Sequence, residues 1–143
     1  MNHLSKVYIF KIGATILCWS IPLLVLPASV LQSLGLPTEN GAIMFLRMLG
    51  WAYIALCVNY WFGLEASLKD EPILVAPIVV GLVSNGGACL LLLFHLLISS
   101  EVSVSNFSPL VRFLLWASTV TTFLITSGLY VFGYRPAMVS GRV

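Results

Sequence analysis

Two arginines and a histidine carry most of the chemical potential of this sequence. Arg47 and Trp51 stand four residues apart, and so do Arg112 and Trp116. On a helix, residues at i and i+4 share a face, so each guanidinium can stack over its indole. Arginine just inside a helix end also snorkels to a membrane surface, with tryptophan at the interface. That anchoring role stands beside a sharper one. If His95 reaches the same depth, it forms with Arg47 and Arg112 an outward-facing polar mouth, with Glu39 and Glu101 on nearby loops. Such a mouth suits a lipid headgroup, a carboxylate or a phosphate. The candidate ligand-binding residues are therefore Arg47, Trp51, His95, Arg112 and Trp116.

A second group of polar residues lies deeper. Arg112, Thr119, Thr122, Thr126 and Tyr130 fall on one helical stripe; Pro77, Gly81, Ser84, Asn85, Ala88 and His95 fall on another. Lys11, Thr15, Cys18 and Pro22 form a third. Polar and small residues gathered on one face per helix turn inward, away from lipid. The run Ser84-Asn85-Gly86-Gly87-Ala88 lies in the middle of its segment, where glycines permit close helix approach and Asn85 must find a partner. Thr119, Thr122 and Thr126 are its expected partners in an interior polar network. Tyr53, Asn59 and Tyr60 are placed to extend it.

These residues need a scaffold, and the composition says which kind. Of 143 residues, 59% are hydrophobic and 8% charged, and the net charge is +2. The mean hydropathy is +1.03. Seven basic and five acidic residues cannot cover a water-soluble fold of this length. The charge is equally unsuited to tracking nucleic-acid phosphates, so no nucleic-acid partner is expected. Charged residues are missing from Ile12 to Thr38, Met48 to Leu64, Pro72 to Ser100 and Phe113 to Tyr134. Each stretch is long enough, or nearly so, to cross about 30 Å of hydrocarbon as a helix. A transmembrane β-barrel would show alternating polarity, whereas these apolar runs are continuous.

The sequence thus predicts an all-α polytopic membrane protein, an up-down bundle of four transmembrane helices at about 7–27, 42–64, 73–98 and 109–133. Leu36-Pro37-Thr38-Glu39-Asn40-Gly41, Lys69-Asp70-Glu71-Pro72 and Ser99 to Ser108, closed by Pro109, supply the turns. Residues 1–143 form a single domain. Lys6, Lys11 and Pro27-Ala28-Ser29 have some likeness to a cleavable leader, but the segment is taken as the first span. An offset of 65 residues aligns Arg47 with Arg112, Leu49 with Leu114, Trp51 with Trp116 and Gly63-Leu64 with Gly128-Leu129. This weak repeat suggests two hairpins, 1–68 and 69–143, related by an axis along the membrane normal.

Lys6, Lys11, Lys69, Arg135 and Arg142 fall on one side of the membrane, against Arg47 and Arg112 on the other. The bias places both termini in the cytoplasm. Cys18, Cys57 and Cys89 lie inside spans, in a pattern that fits neither disulfides nor a metal site. No His/Cys/Asp/Glu group has metal-ligand spacing, and no Ser-His-Asp set falls within the spans. All five acids lie in or beside loops, and His3 and His95 are poorly placed for haem. No enzyme activity, cofactor or metal is expected.

The run Phe45-Leu46-Arg47-Met48-Leu49-Gly50-Trp51-Ala52-Tyr53-Ile54-Ala55-Leu56, after Leu34-Gly35-Leu36-Pro37, resembles the BphX-like family. Val83-Ser84-Asn85-Gly86-Gly87-Ala88 is similar to that family's third helix. Arg-x-x-Gly-x-x-Tyr patterns also occur in the broader DoxX-like group. The resemblance implies a small four-helix protein of a bacterial inner membrane, and it brings no catalytic residues with it. The leading functional expectation is a non-enzymatic binder of a lipid or small amphiphile. An oligomeric channel or transporter subunit, with a homo-oligomer as the partner, is the alternative. An accessory subunit of a membrane redox complex is a third.

Overall fold

A computed structural model describes residues 2–39, 41–69, 71–97 and 108–140, without the His95 side chain. All the regular structure among them is helical. Helix α1 is His3–Val25, α2 is Ala28–Ser33, α3 is Ala42–Leu68, α4 is Val75–Leu97 and α5 is Pro109–Val139. Four of these, all but α2, include stretches long and apolar enough to cross a membrane. The protein is therefore an all-α polytopic bundle. Chain neighbours pack against each other, α1 on α3 and α4 on α5, and α3–α4 and α1–α5 contacts close the ring. That leaves α1 diagonal to α4, and α3 diagonal to α5.

The boundaries differ from expectation where local chemistry intervenes. Helix α1 starts earlier because Asn2 caps it: its Oδ1 accepts from the Ser5 amide at 2.8 Å and the Ser5 hydroxyl at 2.7 Å. The same oxygen accepts from the Ser67 hydroxyl at 2.9 Å, tying the start of α1 to the end of α3. Helix α1 ends at Val25 because Pro27 forces Leu26 into an extended conformation. The short α2 was not expected. It ends in a Schellman motif, with Gly35 at φ +81° and bonds from Leu36 N to Leu31 O and from Gly35 N to Gln32 O.

Both terminal spans contain a π-helical turn, Ile16–Ser20 in α1 and Tyr130–Tyr134 in α5. The extra residue in such a turn changes which side chains face inward. Lys11 and Thr15 are buried as expected, but Cys18 is exposed and Ser20 takes the interior position. The Ser20 hydroxyl donates to the Thr15 carbonyl at 3.3 Å, five residues back.

A buried apolar cluster joins the early turns of α1 and α4 to the later turns of α3 and α5, around Leu4, Tyr8, Tyr60, Leu64, Ile78, Ile125 and Leu129. Apolar association has little drive in lipid, so shape fit decides this contact. Gly81 illustrates the fit. A Cβ there would overlap Leu129 Cδ1 and lie 3.3 Å from Tyr60 Cε1, and both of those side chains are fully buried. Gly87, six residues on, has no neighbour within 4 Å of such a Cβ among the described residues. Gly81→Ala should therefore destabilise the bundle by about 1–3 kcal/mol through overpacking. Gly87→Ala should be neutral or stabilising, by up to ~1 kcal/mol, through helix propensity. Thermal unfolding of the two variants in one detergent checks the contrast.

Candidate functional site

The interior site begins with Lys11. It lies eight residues after His3, or ~12 Å along α1 at the helical rise. The side chain is 7% exposed, and its Nζ donates to Oδ1 of Asn85, itself 3% exposed, at 2.6 Å. This bond crosses the diagonal of the ring, from α1 to α4. The ammonium also lies 5.1 Å from the centroid of the Tyr60 ring, a cation–π contact contributed by α3. Tyr60 and Ser84 share a hydrogen bond of 3.0 Å between their hydroxyls.

Asn85 is held from its other end. Its Nδ2 donates to the Gly81 carbonyl at 2.7 Å and to the Ser84 hydroxyl at 3.3 Å. The amide is thereby fixed with its oxygen toward Lys11. Cys57 and Thr15 border the cluster, close enough for the thiol to interact with both Thr15 and Lys11. Among the described residues the one ion pair is Lys69–Glu65, an exposed i,i+4 contact of 2.6 Å. Lys11 has no carboxylate within salt-bridge distance among them. The hydrogen bond that Lys69 Nζ donates to the Glu65 carboxylate raises the Lys69 pKa above its ordinary value.

The expected interior network is rearranged. Thr119, Thr122 and Thr126 were the expected partners of Asn85; their hydroxyls instead donate to carbonyls of their own helix. Thr119 bonds to Leu115 O at 2.9 Å, Thr122 to Ser118 O at 2.9 Å and Thr126 to Thr122 O at 2.8 Å. The i−4 carbonyl is always within reach of a helical threonine, which settles the competition locally. Thr126 presents its methyl group to Gly86, 3.6 Å from where a Cβ would stand. Tyr60 does join the network. Asn59 does not, and its Nδ2 is buried without a hydrogen-bond partner among the described residues.

The arginines have separate surroundings. Arg47 is half-buried and donates to the carbonyls of Leu23 and Leu26, the latter at 2.7 Å. Pro27 explains the first bond: the Leu23 carbonyl would ordinarily accept from residue 27, and proline has no N–H to give. Arg47 thus caps the broken end of α1. Arg112 is exposed near the start of α5, on the helix diagonal to the one that carries Arg47. Trp51 and Trp116 are exposed too. The His95 side chain and Glu101 lie outside the described residues.

The fold and this interior cluster define a four-span helical membrane protein with a lysine inside its bundle. Comparison with protein-family models, curated proteins and solved structures finds no match.

Sequence reasoning placed Lys11 on the inward stripe but counted it as a flanking charge. The available signal was its neighbourhood, with Tyr8 at i−3 and Thr15 at i+4 on the same face. A double-mutant cycle checks the bond. Asn85→Leu should cost about 1.5–3 kcal/mol, as expected for losing a hydrogen bond to a charged group. Lys11→Met/Asn85→Leu should cost clearly less than the sum of the two single changes, measured by thermal or denaturant unfolding in detergent.

Proposed function

We propose that the protein is a non-enzymatic binder of a lipid or small amphiphile, in which Lys11, rather than the arginine pair, attracts an anionic head. The observation that carries this reading is a buried ammonium with one side-chain oxygen acceptor and no carboxylate partner among the described residues. A lysine ammonium has three donors, and Asn85 accepts one. Ionisable groups inside a membrane are costly and mark sites of function more often than they serve packing. A carboxylate or phosphate oxygen would complete the coordination and neutralise the charge.

The setting of this proposal is a bacterial inner membrane with both termini cytoplasmic. Lys11 drops out of the flanking charges because it lies inside the bundle. Lys6, Lys69, Arg135 and Arg142 then stand against Arg47 and Arg112, and the bias keeps its sign. The likeness to BphX-like proteins supports the same setting.

Native mass spectrometry after gentle detergent extraction tests the reading. The wild type should retain a defined anionic amphiphile. Lys11→Gln, whose amide can still donate to Asn85, should lose at least 90% of it while remaining folded, and Arg112→Gln should keep it. Equal retention by Lys11→Gln and the wild type would contradict the proposal.

A further inference from the structure

A cavity of about 340 Å³ lies on the face of the bundle that carries the termini, between the starts of α1 and α4 and the ends of α3 and α5. A second, more open hollow adjoins it along the end of α5, and Val131 and Pro136 line both. Among the described residues, the first has Glu71 as its one carboxylate, with no lysine or arginine in its lining. The second is lined by Arg135 and by no acid. Opposite charges therefore stand on either side of a shared wall.

Glu71 is set at the cavity by its backbone, whose amide donates to the Ala66 carbonyl at 3.0 Å as α3 ends. Its carboxylate has no ion-pair partner among the described residues. Lys69 is near enough to feel that charge, but its ammonium is bonded to Glu65 at 2.6 Å. Asn2 and Ser67, also in the lining, are spent on each other. The Asn2 Nδ2 donates to the Ser67 carbonyl at 3.2 Å, and the Ser67 hydroxyl donates to Asn2 Oδ1 at 2.9 Å. What the cavity offers a visitor is a carboxylate, an acceptor suited to a cation with N–H groups.

The rings narrow the choice of cation. A quaternary ammonium needs open aromatic faces around it. Tyr8 is 1% exposed, and Phe132 has His3 stacked on it, with centroids 5.1 Å apart and planes at 20°. A primary ammonium needs acceptors instead, and Glu71 supplies them. Across the shared wall, the exposed Arg135 guanidinium presents the donor fork that phosphate oxygens take. The lining also continues onto the outer surface of α5: Val131 and Phe132 are exposed, and Val139 in the second hollow is 85% exposed. A head seated here would leave its acyl chains along that apolar surface.

We propose that the two hollows hold the zwitterionic head of an ethanolamine phospholipid from the adjoining leaflet, with its ammonium on the Glu71 carboxylate and its phosphate on the Arg135 guanidinium. This site goes beyond the Lys11 reading and does not depend on it, because the two use different charges and different ends of a ligand.

Native mass spectrometry of the full chain in dodecyl maltoside, titrated with dioleoyl phosphatidylethanolamine, phosphatidylcholine or phosphatidylglycerol, is the test. The ethanolamine lipid should bind about tenfold more tightly than the other two, the margin of one charge-assisted hydrogen bond. Glu71→Gln should bring its affinity down to that of the choline lipid. Arg135→Gln should weaken it by about threefold, as for a partly exposed charge pair. Glu39→Gln, an equal change of charge at the opposite end of the bundle, should leave it unaltered, and so should Lys11→Gln. Equal affinity for the three lipids, unaltered binding in Glu71→Gln, or a matching loss in Glu39→Gln would overturn the proposal. Displacement of the lipid by an equal concentration of free ethanolamine would overturn the lipid assignment and give the cavity to a soluble amine. Loss of ethanolamine-lipid binding in Lys11→Gln would overturn the independence of the two sites.

Discussion

A lysine ammonium inside a membrane bundle must be solvated by protein, and the bond from Lys11 to Asn85 does much of that work. Its consequences reach three of the four spans. Asn85 can accept from Lys11 only with its oxygen turned toward α1, and the Gly81 carbonyl and the Ser84 hydroxyl hold its nitrogen the other way. Ser84 in turn bonds to Tyr60, whose ring lies beneath the ammonium. The close approach at Gly81 allows Tyr60 and Leu129 to meet there without space for a Cβ. A single buried charge thus links packing, helix order and the orientation of an amide.

The architecture was legible because lipid leaves few choices. Backbone groups must be satisfied within a helix, and uncharged stretches of sufficient length announce where the helices run. Pro109 marked the start of α5 correctly, and the structure adds the Ser108 side chain as its cap. Interior detail was less visible. The stripe Lys11, Thr15, Cys18 and Pro22 assumes an unbroken α-helical period, and the π turn at Ile16–Ser20 exchanges Cys18 for Ser20. Nothing in those five residue types announces a π turn. The partner of Asn85 was missed for another reason: spacing shows which face a residue occupies, not which of three facing helices it meets.

The two Arg-x-x-x-Trp segments show how a repeat in sequence can carry unlike chemistry. Arg47 has an acceptor because Pro27 leaves the Leu23 carbonyl without its usual donor and Leu26 is extended. Arg112, at the matching position of α5, is exposed. The pair looked like one site because its spacing is identical in both copies. The decisive residue for Arg47 was a proline twenty positions upstream, in the break between α1 and α2, outside either copy of the motif.

The central claim is that Lys11 is held inside the bundle by Asn85, away from water. NMR of ¹⁵N-lysine-labelled protein in nanodiscs observes that ammonium directly. The account predicts that the Lys11 Nζ protons exchange with solvent far more slowly than those of Lys6 and Lys69, and that Asn85→Leu removes this protection or shifts the resonance. Exchange of Lys11 as fast as that of the two exposed lysines would contradict it.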